Sequence, residues 1–520
     1  MQRPPALLLA VAAGVALLAI LPLAYLGVRA LDGGLEALAP VVRPRTLELL
    51  ANTVVLGTAV GLGATGLGVP LAWLTTMTDL PARRAWSVLV IAPLAIPSYL
   101  LAFSLVAALG PRGWIPSLVE PLGLTVSPGI FGFWGVAVVL TLATIPYVVV
   151  ATRAALARLD PATEEAARSL GSGPWQAVRT SVMPVIVPAV GAGALLAMLY
   201  AVSDFGSVSI LRFDSLPRAI YSQYRFSFDR SGAAALALVL VALALILVGV
   251  EGRIRRRSAL AVAHGRRRLP LTVRLGRWRW PAVALCLSVV ALSLALPLAT
   301  VATWLTNGLL RGLELGVAVE PVRGSLALAG AAAVVAVALG VPLARLVAHF
   351  PGRWAMATER LLYTTYAVPG ISLALAVVFF SLSVVPTLYQ TMTALVVAVA
   401  LRFLIHSVGA IRGPMLLISP RLSEAARSLG EPPAGVTRTI ILPLLRPGLL
   451  GAAALVLLSA LKELPLTLLL APTGFRTLAT DLWDRAREGF YAQAAVPAAI
   501  LLVVSLVSVL LLVRREEELG

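Results

Sequence analysis

Three short stretches interrupt an otherwise apolar chain with groups that could do chemistry. Asp204 in AVSDFGS and the pair Lys462-Glu463 in SALKELPL put ionisable side chains at the ends of apolar runs, and EAARSLG occurs twice, at 165–171 and 424–430. A carboxylate in hydrocarbon is costly and points to a functional role, as a gate or as a lining for cargo. Its local alternative is a structural partner, Lys462 for Glu463 and interfacial water for Asp204. Lys462 is the only lysine, and it has no glycines at the spacing of a phosphate-cradling GxxxxGK[ST] loop, so this chain is not a classical P-loop ATPase. His264, His349 and His406 lie far apart, and the single Cys286 sits in an apolar run where it packs. No nucleophile, base and orienting group converge in sequence, so no catalytic residue is expected.

The elements that carry these residues follow from composition. The 520 residues are 59% hydrophobic and 13% charged, with a mean hydropathy of +0.93, which excludes a water-soluble domain. Twelve apolar stretches come close to the roughly 20 residues that cross a bilayer. They fall at about 6–28, 51–75, 86–109, 130–152, 184–204, 231–250, 281–305, 325–348, 359–382, 389–411, 443–463 and 492–513. The first is longer than the roughly 7–15-residue core of a signal peptide and is read as a span. With both termini cytoplasmic, the inward segments (the N-terminus, 76–86, 151–183, 251–280, 345–360, 402–446 and the tail) hold 28 Arg against 11 acidic residues, whereas the outward side balances. That asymmetry is what the positive-inside rule requires. It also accounts for the pI near 11.2 without nucleic acid: the arginine-rich run at 253–279 reads as an orientation anchor on anionic headgroups.

The chain repeats itself. LGVPLAWL (67–74) matches LGVPLARL (339–346) at an offset of 272, which also carries Pro97 onto Pro369; the EAARSLG pair, Pro184/Pro443 and Asp204/Glu463 match at 259. The difference falls in an outward loop, 110–129, that the second copy lacks. Six spans per copy give both the same orientation, a parallel repeat. The expected fold is therefore an all-α polytopic membrane protein of about 12 transmembrane helices: a first half at 1–250, a basic cytoplasmic linker at 251–280 and a second half at 281–520.

Each EAARSLG predicts a helix of about ten residues, too short to span. Asp160 or Ser419 stands at the N-cap, Pro161 or Pro420 at the first helical position, and Gly171 or Gly430 where a left-handed residue closes the helix. Such a helix could merely staple a loop. Its near-identical duplication in diverged halves argues that it grips two equal partners, with Ala166, Ala167, Ala425 and Ala426 permitting close approach while Glu165, Arg168, Glu424 and Arg427 orient the contact.

These motifs, each followed by Met183-Pro184 or Leu442-Pro443, resemble the signature loop of permease subunits of binding-protein-dependent ABC importers. The likeness covers essentially the whole chain. It departs in Met183, where the family has leucine, and in one extra residue between Glu and Gly. It implies two short cytoplasmic coupling helices docking two copies of a separate ATPase subunit that carries ATP and magnesium. It further implies an extracytoplasmic substrate-binding protein, alternating access, and residence in a bacterial inner membrane. Among the branches of this family, SDFG (203–206), KELP (462–465), AIYSQY (219–224) and TLATDLW (477–483) are similar to the ferric-iron type more than to thiamine, sulfate or polyamine types. Iron would favour oxygen ligands, and Asp204, Asp214, Tyr221, Tyr224, Asp229, Glu463 and Asp481, with Lys462 beside them, are candidates for its path; the tyrosines read equally as an interfacial aromatic belt. A secondary transporter fits the span count but would more naturally carry carboxylates in mid-span.

Overall fold

The computed structural model describes residues 4–31, 39–110, 113–120, 129–157, 178–227, 230–261 and 272–519, with the isolated positions 159, 169 and 176. Regular structure among them is helical apart from one isolated bridge, where Val273 donates to the Met77 carbonyl (2.8 Å) and accepts from Asp79 (3.2 Å). Nine of the described helices are long and apolar enough to cross a membrane. In the first copy these are Ala6–Leu31, Pro44–Met77, Phe133–Leu156, Met183–Ser203 and Arg230–Ile254; in the second they are Gly276–Leu310, Val319–His349, Met392–Leu417 and Thr437–Leu461. The apolar helix Tyr491–Val507 lies at the twelfth expected stretch.

The remaining two stretches, 86–109 and 359–382, are not the straight spans that the sequence suggests. Arg83–Ala95 and Ser98–Pro116 meet at 98°, and Arg353–Ala367 and Gly370–Val384 meet at 100°. The cause is the repeated proline. Pro97 and Pro369 lack an amide and exclude the helical conformation from the residue before them. Ile96 (φ −88°, ψ 123°) and Val368 (φ −59°, ψ 124°) are accordingly extended. Each proline carbonyl then opens the next helix, accepting from Leu100 at 3.0 Å and from Leu373 at 3.0 Å.

Helices associate in a bilayer through small residues and close packing, because lipid is as apolar as leucine. Along Pro44–Met77 the buried face runs Thr53, Leu56, Gly57, Val60, Gly61, Ala64, Gly68, Leu71 and Thr75, a helical stripe of small side chains. Counting each bent pair as the third span of its copy, Phe133–Leu156 and Met392–Leu417 are the fourth helices and Met183–Ser203 and Thr437–Leu461 the fifth, and a Cβ on Gly68 would stand 2.9 Å from Val148 of the fourth. The equivalent Gly340 meets Ser407 in the second copy more tightly still. Thr53, Thr75 and Thr144 return their hydroxyls to carbonyls four residues back, at 2.6–2.7 Å, which satisfies them without water.

Packing divides the chain differently from the repeat. One compact unit comprises Met1–Pro40, Phe226–Leu238 and Leu315–Asp484; the other comprises Val41–Arg225, Val239–Glu314 and Arg485–Gly520. The first helix of copy one thus belongs with the body of copy two: Leu26 and Ala30 are fully buried, Tyr25 meets Phe380 edge-on at 6.2 Å, and Arg29 sits 5.9 Å over the Phe379 ring. In the other unit the first helix of copy two packs on Ser98–Leu109 and on the last helix, with Trp304 stacked on Tyr491 at 5.0 Å.

A Cβ on Gly66, unlike one on Gly68, would have nothing within 4 Å. Gly68→Leu is therefore expected to lose about 1–3 kcal/mol through overpacking and to lower the melting temperature in detergent, while Gly66→Leu leaves it unchanged. Fluorescence-detected thermal unfolding of the two variants checks this.

Candidate functional site

The short helix of the second copy forms as its end residues dictate. It spans Pro420–Ser428, the Ser419 hydroxyl accepts from the Arg421 amide (3.4 Å), and Pro420 takes the first turn. At the other end Gly430 is left-handed (φ +89°), its amide donates to Arg427 (3.0 Å) and that of Glu431 donates to Ala426 (3.1 Å). This is the paired closure in which a left-handed residue satisfies the last carbonyls. Ala426 is buried, Glu424, Ala425 and Arg427 are exposed, and Leu417 and Leu429 are each 86% exposed. The capped helix and the end of the helix before it thus present leucines and opposite charges outward. Its first-copy counterpart, Glu165, Ala166, Ala167, Arg168 and Gly171, lies outside the described residues.

The two acidic residues at the ends of the fifth helices are buried and bonded. Asp204 is 8% exposed. Its Oδ1 accepts from the Ser98 hydroxyl, and its Oδ2 accepts from the hydroxyl and amide of Ser207 (amide 2.9 Å) and from the Val208 amide (3.4 Å). Asp204 thereby joins the bend at Pro97 to the start of the short helix Gly206–Ile210. Glu463 is 7% exposed, and its Oε1 accepts from Leu466 (3.2 Å) at the start of Pro465–Leu470. Its Oε2 lies 3.5 Å from Arg402 Nε, and Arg402 Nη1 donates to the carbonyl of Val368 (2.8 Å), the residue before the bend-forming Pro369.

The sequence reading places Arg402 within the apolar stretch 389–411 and also counts it with the inward segment from 402; the structure bears out the first and corrects the second. The structure places it well inside Met392–Leu417, with its side chain 14% exposed. Arg153, counted likewise, lies within Phe133–Leu156 and donates to Thr75 Oγ1 (2.7 Å) and to the Ser87 carbonyl (2.9 Å). The signal lies in the repeat: at the offset of 259 Arg402 aligns with Ala143, an uncompensated charge that demands a partner.

Of the other path candidates, Tyr221 and Tyr224 are half-buried on Leu216–Phe226, with Tyr221 4.8 Å from the Phe205 ring. Asp214 is held by Arg45 (2.6 Å) and Arg218 (2.7 Å), Asp481 pairs with Arg476 (3.8 Å), and Asp229 lies outside the described residues. Lys462, half-buried, caps the fifth helix of copy two. Among the described residues no three His, Cys, Asp or Glu side chains converge as for a bound metal.

Broken spans within a duplicated, all-helical apolar body describe a polytopic membrane protein with an internal repeat. The profile of the family described as "Binding-protein-dependent transport system inner membrane component" matches residues 64–259 and 336–515, once in each copy, and the chain belongs to that family. It is 30% identical over 507 residues, 96% of each chain, to the Fe(3+)-transport system permease protein FbpB 2 of Haemophilus influenzae. It is 32% identical over 144 residues to a probable sulfate transport permease, cysT, of Chlorokybus atmophyticus, covering 28% of this chain and 49% of that one. Over 174 residues it is 30% identical to the molybdenum transport permease ModB of Escherichia coli K12, covering 32% and 75%.

A β-branched residue at 430 would be forced into the left-handed region at a cost of about 1–2 kcal/mol. Gly430→Val is expected to speed amide exchange within Pro420–Ser428 about 5–30-fold, read by hydrogen-exchange mass spectrometry, with the spanning helices unaffected.

Proposed function

We propose that this chain is the permease of an ATP-driven importer for Fe(III). The observation that carries the cargo is the end-to-end similarity to an Fe(3+) permease, against partial coverage of the sulfate and molybdenum proteins. Cargo arrives from an extracytoplasmic binding protein. ATP is hydrolysed in a separate subunit, two copies of which dock on the duplicated short segments at 160–171 and 420–428. The exposed Leu417, Leu422 and Leu429 beside Glu424 and Arg427 support this docking face, since an apolar patch rimmed by charge suits a protein partner. Both termini are cytoplasmic, which agrees with the arginine excess on that side, and the membrane is the bacterial inner membrane.

The mechanism is alternating access. ATP-driven closure of the motor pair displaces the two docking segments, and the helices joined to them carry the movement into the membrane. Tyr221, Tyr224, Lys462, Asp204 and Glu463 are the candidates along the cargo path, and Asp204 and Glu463 also hold the bends through the bonds their oxygens make to the chain.

The double variant Glu165→Ala/Glu424→Ala is expected to insert normally and to lose ATP-dependent uptake; wild-type uptake would refute the docking assignment. Proteoliposomes holding the permease, its ATPase and loaded binding protein should take up radiolabelled Fe(III) and neither sulfate nor molybdate. Uptake of either oxyanion in place of iron would reassign the cargo.

A further inference from the structure

The two copies build the same junction with different chemistry, and the difference has a consequence for coupling. In copy one the bend donates to the carboxylate itself, through Ser98 to Asp204. In copy two the position of Ser98 is Gly370, that of Ala143 is Arg402 and that of Asp204 is Glu463. The substitutions fit one another. A Cβ on Gly370 would stand 3.2 Å from Arg402 Nη1 and 3.2 Å from Glu463 Oε1, so the missing side chain leaves the room that the guanidinium fills. The longer Glu463 keeps the amide bond to Leu466 that Asp204 makes to Ser207.

The donor has therefore moved from the bent span to the fourth helix. That helix, Met392–Leu417, runs on to the short helix at Pro420–Ser428 with two residues between them. Both copies tie their fourth helix to the first limb of the bent span, Arg153 through the Ser87 carbonyl and the equivalent Arg412 through Glu359 at 2.5 Å. In copy two Arg402 ties it to the bend as well, through Val368, and to the following helix through Glu463. Ala143 offers no such donor in copy one.

We propose that Arg402 is a positioning residue that transmits movement of the second docking helix to the bend at Pro369, so that the two halves are coupled to the motor unequally. This rests on the importer reading, but it does not depend on which cargo is carried.

The test transplants the chemistry of copy one into copy two. Gly370→Ser/Arg402→Ala/Glu463→Asp rebuilds the junction of copy one, in which a hydroxyl and backbone amides, and not a guanidinium, satisfy the buried acid, so it is expected to melt near wild type. With the docking helix disconnected from the bend, cargo moved per ATP hydrolysed should fall about tenfold, inside the roughly 5–150-fold range of a coupling between two sites, while the KM for loaded binding protein stays unchanged. Arg402→Gln/Glu463→Gln, a smaller change that leaves no net charge, should behave the same way. The corresponding change in copy one, Ser98→Ala, should leave the transport-to-hydrolysis ratio near that of wild type. Wild-type cargo per ATP in either copy-two variant would overturn the proposal and leave Arg402 a structural clamp. Absence of ATP-dependent uptake by the wild-type complex would instead refute the importer reading.

Discussion

Backbone that leaves the helical ladder inside hydrocarbon must find its partners within the protein, because no water is there to supply them. Two of the described spans leave it, at Pro97 and Pro369, and the placement of Asp204, Glu463 and Arg402 follows from that. Asp204 and Glu463 stand where short helices begin and accept from their free amides. Arg402 donates to the carbonyl of Val368, which the extended backbone before Pro369 turns out of the helical ladder. Ionisable groups that the sequence suggests as cargo ligands thus have a local task, and the cost of burying them is offset by bonds that a straight helix would not need.

Why the spans should break at all follows from what a translocator does. A continuous helix is stiff, and its movement is that of the whole rod. A helix in two limbs, each tied to a different neighbour, lets one limb shift while the other stays packed. Here the first limb is held by an arginine of the fourth helix in each copy, and the second begins beside the carboxylate. The bends are held by discrete polar bonds among packed small residues, the kind of element that switches between arrangements without deforming continuously.

Much of this is legible in the sequence, and the misses have identifiable causes. The apolar stretches and the caps of the short helix, Ser419 and Gly430, depend on local rules and are found where those rules put them. The bends escape the sequence reading although Pro97 and Pro369 align, because a window of hydrophobicity responds to composition and not to the missing amide. Arg402 falls within the stretch 389–411 yet is also counted on the inward side, because a charge ordinarily marks the end of a span. What overrides that rule is a tertiary partner, Glu463, 61 positions on in a sequence that gives no periodic sign of the pairing.

The exchange of first helices explains why two copies occupy one polypeptide. The family profile begins at residues 64 and 336, after the first helix of each copy, so the recurring body excludes it. In the structure that helix packs within the unit that holds the other copy's body, where Leu26 and Ala30 are fully buried. Half of the chain alone would expose both a helix face and the groove that receives it. Lipid would cover the apolar part, but the close contacts of Tyr25 and Arg29 with Phe380 and Phe379 would be lost. Covalent fusion keeps each helix near its receiving body at a high effective concentration, set by the linker and not by how much protein the membrane holds. It also allows the two junctions to diverge: once the copies need no longer be identical, a serine bridge in one and an arginine in the other can coexist.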